Sequence, residues 1–215
     1  RYRLVTGVQT CALPISSRCF FGQFNFESEI MQDQNIRKAI EMGIDKEGFC
    51  SVIMEGRGLP AKAAFPDSFS YGNEAVETVS YDPEGAKKLL EESGWKDTDG
   101  DGCADKDGQK LTIDWLTYPT RLEQPKLAEY AQATLKEIGI DVVVNNTSDH
   151  MTYAADGNFD VYVSSTTTAP TGDPEYFFTS TVVGPKNYGK YENKEVTALT
   201  EKLHQAFEPE ERAKL

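Results

Sequence analysis

The strongest constraint on the fold is a change of hydrophobic period, repeated between Leu111 and Ser164. Leu111, Ile113 and Trp115 alternate with polar residues as a strand does, and Leu127, Ala131, Leu135 and Ile138 then recur at helical spacing up to Gly139. Pro125 is suited to opening that helix. Ile140 to Asn145 reads as a valine-rich second strand, Asp149 to Asp156 as a short helix, and Phe159 to Ser164 as a third strand. A β-α-β-α-β order predicts a parallel sheet with right-handed crossovers, hence an α/β fold whose three strand carboxyl ends lie along one edge. Open α/β sheets bind their ligands outside that edge. The segments leaving it are Tyr118-Pro119-Thr120-Arg121, Asn145-Asn146-Thr147 and Ser164 through Asp173, all rich in hydrogen-bonding groups.

The flanking regions read as helices. Ile36, Ala39 and Ile40 fall at helical spacing between Gln34 and Gly43, and Asp45 can cap a second helix carrying Phe49, Val52 and Ile53. Asp82 and Pro83 give the N-cap and first position of a helix running through Leu89 and Leu90 to Gly94, after which Trp95 is expected to fold back onto the core. Downstream, Asp173 and Pro174 repeat that start signal before a short aromatic helix. Asn193 caps a helix with Val196, Leu199, Leu203 and Phe207 on one face, and Glu208-Pro209-Glu210 begins another.

Composition excludes several functions. The 215 residues carry 22 Lys and Arg against 35 Asp and Glu, a net charge of −13, so counterion release cannot drive nucleic-acid binding. A hydrophobic share of 39% suffices for a core, yet no apolar run approaches the roughly 20 residues of a membrane helix. Cys11, Cys19, Cys50 and Cys103 show neither a CxxC pair nor zinc spacing. The stretch VTGVQTCALPI, Val5 to Ile15, resembles a translated sequencing-library adapter. Residues 1–16 are therefore expected to be foreign to the fold, residues 17–215 to carry it, and the native amino terminus, with any export signal, to be missing.

Five stretches in this order resemble the solute-binding proteins of bacterial ABC importers that take up peptides and nickel, solute-binding family 5. They are NIRKAIEMGIDKEGF (Asn35 to Phe49), YDPEGAKKLLEESGW (Tyr81 to Trp95), DTDGDGCADKDGQKLTIDWLTY (Asp97 to Tyr118), LAEYAQATLKEIGIDV (Leu127 to Val142) and FDVYVSSTTTAPTGDPEYFF (Phe159 to Phe178). The resemblance implies a periplasmic-binding-protein-like (type II) fold, of which residues 17–215 form an incomplete second lobe. It implies an extracytoplasmic receptor, in the periplasm or held as a lipoprotein on the outer face of the membrane. Such a receptor closes two lobes over a small solute and delivers it to a membrane permease, as a monomer and without catalysing a reaction.

The site residues follow from the strand-end segments. Arg121 can grip a solute carboxylate with two parallel hydrogen bonds, and the dipeptide binders of the family place such an arginine at the corresponding turn; the alternative is a surface arginine paired with Glu123. Tyr118, Asn146, Ser165, Thr167, Thr168, Pro170 and Thr171 are the other expected contacts. Peptide binders of the family carry, at the position of Pro170, an acid that pairs with the peptide's α-amino group. Its absence favours the nickel-type branch, which takes metal chelated by small anionic molecules, although the aromatic residues expected there are replaced by Thr167 and Thr171. Asp173 reads as a helix cap.

His150 and His204, on separate elements, do not make a metal site of protein ligands alone, so nickel is expected only within a solute chelate. Asp97, Asp99, Asp101 and Asp105 follow the ligand spacing of a calcium loop, with Gly102 at its turn; Gly108 replaces the final glutamate, and a polar hairpin explains the same residues. Calcium in that loop is the one resident cofactor the sequence suggests. No serine elbow or phosphate loop is present. An oligopeptide or dipeptide receptor, a calcium-stabilised adhesion module and a hydrolase lacking its catalytic lobe are the competing readings.

Overall fold

The computed structural model describes residues 9–12, 18–65, 69, 71, 76–167 and 173–215. In chain order, strands β1 (Gln9–Ala12) and β2 (Arg18–Phe24) precede helices α1 (Glu29–Gln32), α2 (Gln34–Gly43) and α3 (Lys46–Gly48), the last running into a π-helical turn over Phe49–Ile53. Helix α4 (Pro83–Glu92) and the hairpin β3 (Asp105–Lys106) and β4 (Gln109–Lys110) follow. Then come β5 (Thr112–Thr117), α5 (Glu123–Glu137), β6 (Asp141–Asn146), α6 (His150–Ala155) and β7 (Val161–Thr167). The chain continues through α7 (Glu175–Phe177), a second π-helical turn, α8 (Lys194–Gln205) and α9 (Pro209–Lys214).

The main sheet has the order β1-β2-β7-β5-β6. β5 pairs in parallel with both β6 and β7, which is the arrangement the alternating periods predict. β2 runs antiparallel to β7, with Phe21 opposite Ser164 and Phe24 opposite Val161. No periodicity announces this strand, because Cys19 through Phe24 are buried on both faces and so do not alternate. Gln9–Ala12, inside the segment expected to be foreign, lie antiparallel to β2 at the sheet's edge.

One face of the sheet carries Phe20, Ile113, Trp115 and Val163 against Ile36, Ile40, Leu90, Leu127 and Leu135 from α2, α4 and α5, in a single apolar cluster. Trp95 packs against it, as expected. The other face splits into two smaller clusters. Phe21 meets Phe65, Phe177, Val182 and Val196 in one, and Leu116, Tyr118, Ala154, Phe159 and Tyr162 form the other.

Helix starts follow their caps. Asp82 accepts a hydrogen bond from the Gly85 N–H with Pro83 in the first turn, and Asn193 accepts from Glu195 and Val196. Gly139 closes α5 at φ +89°, where an added Cβ would lie 3.1 Å from the Ala104 nitrogen. Three expectations shift. Asp45 caps only α3, and the π-helical turn leaves Val52 69% exposed instead of on the buried face. Helix α5 begins two residues before Pro125. Phe207 lies beyond the C-cap of α8 and is 85% exposed, so only Val196 and Leu203 of the expected stripe are buried.

Candidate functional site

The order β6-β5-β7 places β5 between the two strands that follow it, so the crevice between the carboxyl ends of β5 and β7 is a topological switch point. Tyr118, one residue past β5, spans that crevice: its hydroxyl lies 3.1 Å from the Ser165 hydroxyl on β7. The His150 ring, at the start of α6 just beyond β6, stacks on Tyr118 at 4.2 Å between centroids and 26° between planes. His150 Nδ1 is 2.7 Å from the Tyr162 hydroxyl on β7, and Tyr162 meets Tyr188 edge-on. Side chains from just past β5, from the start of α6 and from β7 are thus joined in one network.

Burial pushes the Tyr162 phenol well above its ordinary range, with Tyr118 and Tyr188 adding to the effect. Burial also lowers the His150 imidazole, against the opposing pull of Asp149. Both groups are therefore uncharged at neutral pH. Below them the Thr117 hydroxyl sits 3.2 Å from Gln124 Oε1 and 3.4 Å from the Val163 carbonyl, fully buried. The Gln124 amide nitrogen has no partner among the described residues.

The expected contacts divide into three groups. Arg121, Asn146 and Thr167 are exposed at the strand-end edge, and Ser165 is partly buried there. Among the described residues the Arg121 guanidinium makes no ion pair, with Glu123 or any other acid. Tyr118 is only 8% exposed, with its ring under His150 and its hydroxyl engaged by Ser165, so it supports the edge from behind. Thr168, Pro170 and Thr171 lie outside the described residues. The surroundings of His150 were not legible in the sequence, since only the fold brings it against Tyr118 and Tyr162. A groove of about 760 Å³ lies elsewhere, on the second face between Asn25, Asp114, Val143, Tyr153 and Asp160. Among the described residues, Arg121, Asn146 and Thr167 make the strand-end edge an exposed shelf.

The N-cap of α7 is Pro174, one residue later than expected; Asp173, just before it, accepts the Glu175 N–H at 2.9 Å and also pairs with Arg212 at 2.7 Å. The acidic loop over 97–104 is closed by an antiparallel bridge between Lys96 and Asp105, and Asp105 leads into the β3–β4 hairpin. Asp97, Asp99 and Asp105 each bring a carboxylate oxygen within 4.8 Å of the others. These carboxylates already accept backbone N–H bonds: Asp97 from Gly100 and Gly102, Asp99 from Asp101, and Asp105 from Thr98. The Thr98 hydroxyl and N–H lower the Asp105 carboxyl, and Asp101 turns away to Lys110. A cation would have to compete with these bonds.

Residues 8–189 match the bacterial extracellular solute-binding proteins, family 5 Middle. The chain is 35% identical over 121 residues to the oligopeptide-binding protein AppA of Bacillus subtilis, covering 55% of this chain and 22% of that protein. It is 31% identical over 147 residues to the nickel-binding periplasmic protein of Escherichia coli, covering 67% of this chain and 28% of that protein. The structure of NikA from Staphylococcus aureus in complex with Ni(L-His)2 superposes with a TM-score of 0.81 at 26% identity, over 96% of this chain and 43% of the other. The chain therefore spans less than half the length of these relatives. Among the described residues no helix is long and apolar enough to cross a membrane.

Proposed function

The chain belongs to the bacterial extracellular solute-binding proteins of family 5, and from that premise we propose that it forms most of one lobe of a receptor that captures a small solute for an ABC importer. The observation that carries the reading is Arg121, an exposed guanidinium with no ion pair among the described residues, beside the switch-point shelf. Its chemistry suits a carboxylate or another anionic group. A nickel chelate or similar anionic small molecule is the solute favoured by the likeness to the nickel-binding relatives and by Pro170 standing where peptide receptors have an acid. A peptide is the second reading, favoured by the identity to AppA. The complete receptor would act outside the cytoplasm, in the periplasm or as a lipoprotein, as a monomer that hands its solute to a membrane permease and performs no catalysis.

The test is calorimetry with Ni(II)–L-histidine and with a peptide library, on this chain and on the receptor carrying both lobes. Because half of the contacts and much of the preorganisation come from the other lobe, the isolated chain is expected to bind about 100-fold or more weakly. Equal affinity in the two proteins would sink the two-lobe reading. Tight peptide binding with no response to the chelate would replace the favoured solute by the second.

A further inference from the structure

We infer that His150 is itself a solute contact, acting through Nε2 as an uncharged hydrogen-bond donor to an acceptor oxygen of the solute. The inference rests on the reading of the strand-end shelf as the solute site. Its first support is position. His150 begins α6 a short turn beyond β6, lies over Tyr118 beyond β5 and bonds to Tyr162 of β7, which is level with Leu116 near the end of β5, so it sits at the carboxyl ends of β5 and β6. Covering Tyr118 would require only an apolar ring. An imidazole at this point adds a second nitrogen, and Nε2 has no partner among the described residues.

The second support is orientation. A stack on one side and a 2.7 Å hydrogen bond at Nδ1 leave the ring little freedom to turn, which is what a recognition group on a rigid scaffold needs.

The third support is the position of the ring proton. The Tyr162 hydroxyl is buried, remains protonated and has no other partner among the described residues, so its proton requires an acceptor. Nδ1 is that acceptor. A neutral imidazole accepting at Nδ1 carries its own proton on Nε2. The reverse tautomer would leave a buried hydroxyl proton without an acceptor, a costly arrangement. His150 therefore offers N–H rather than a lone pair, and its partner is an oxygen rather than a metal ion. With Arg121 on the same edge, the pair of donors fits a small carboxylate-bearing molecule: the guanidinium takes the charge, and the imidazole takes an acceptor without adding a second cation.

Two measurements test this. In ¹⁵N-labelled chain, two-bond nitrogen–proton correlations report the tautomer: the Nε2–H form is expected, and Tyr162→Phe should release it into a mixture. A dominant Nδ1–H form would overturn the inference. In the complete receptor titrated with Ni(II)–L-histidine, His150→Phe keeps a ring over Tyr118 but has no donor, and should weaken binding about tenfold, the scale of one hydrogen bond. His150→Gln places an amide N–H near the Nε2 position and should stay within about threefold of the parent. Melting curves confirm that each variant is folded. Full affinity in His150→Phe, or glutamine as weak as phenylalanine, would overturn the donor role. Arg121→Ala in the same titration separates the two ideas: if it weakens binding and His150→Phe does not, only this inference falls; if neither does, the shelf is not the solute site and both fall.

Discussion

On one face of the sheet, Phe20, Ile113, Trp115 and Val163 lie under α2, α4 and α5 in one continuous apolar cluster, whereas the other face holds two smaller clusters, around Phe177 and around Tyr162. The first face is almost purely hydrocarbon. The second mixes aromatic rings with hydroxyls and an imidazole, and the Tyr118–Ser165 and His150–Tyr162 contacts each join separate segments of the chain. Apolar burial is non-directional and scales with area, so the first face should supply most of the stability. Hydrogen bonds and ring stacking are directional and modest in net energy, so the second face should fix geometry at the strand ends. The chain thus separates holding the sheet together from aiming side chains at its edge.

The sharpest test of that separation substitutes one residue on each side of β5. Trp115→Ala is expected to cost about 3–5 kcal/mol in urea denaturation, because a fully buried indole leaves a large void. Tyr118→Phe keeps the ring and removes only the bond to Ser165, and should cost about 1 kcal/mol. Comparable losses in the two variants would show that the two faces do not divide these roles.

Next in size is an effect on binding alone. In the complete receptor, Arg121→Ala should weaken an anionic solute by about 1.5–3 kcal/mol, the range of charge-assisted hydrogen bonds, without moving the denaturation midpoint. Arg121→Lys should restore only part of the loss, since an ammonium lacks the planar fork. Calorimetry paired with urea melts reads both quantities. A falling midpoint would place Arg121 among the stabilising residues instead.

The same division explains what the sequence made legible. α5 and the first half of β5 each have one face buried and one exposed, so their apolar residues fall at the period of the element, whereas β6 was legible from its run of valines. β2 escaped because a strand covered on both sides has no period to find, and Val52 misled because a π-helical turn rotates the stripe. The exposed position of Arg121 at the strand-end edge was legible from its place in a turn. Tyr118, named as a contact, is buried against His150, and the surroundings of His150 depend on Tyr118 and Tyr162, which are 32 and 12 residues away along the chain. Contacts across elements are set by register, which local sequence does not encode.

A weaker effect belongs to the second face near the end of the chain, where Glu175 pairs with His204 and with Arg212. The His204 hydrogen bond leads in lowering the Glu175 carboxyl, with Arg212 assisting. A depressed carboxyl contributes stability that is fully present above its unfolded-state pKa and is lost as pH falls through the folded value. His204 is 74% exposed, so the contribution should stay under about 1 kcal/mol. Thermal melts from neutral to acid pH should show Glu175→Gln with a flatter acid limb than the parent. Parallel curves would show that this cluster adds nothing measurable.

The smallest expected effect tests the acidic hairpin, which lies apart from both faces of the sheet. Clustered carboxylates repel one another, and a cation near Asp97, Asp99 and Asp105 would relieve that repulsion. Each carboxylate, however, already accepts backbone N–H bonds that calcium would have to displace or share, and Asp101, the fourth expected ligand, faces Lys110. With the bidentate glutamate of a calcium loop replaced by Gly108, any affinity should be in the millimolar range. At a concentration equal to the dissociation constant, binding adds about 0.4 kcal/mol, or about 1 °C in melting temperature for a chain of this size. Millimolar Ca²⁺ should produce that rise in the parent and none in Asp99→Ala. A rise of many degrees would show that the N–H bonds give way easily and would turn the hairpin into a stabilising element in its own right. The absence of any rise would leave the carboxylates as turn-forming acceptors.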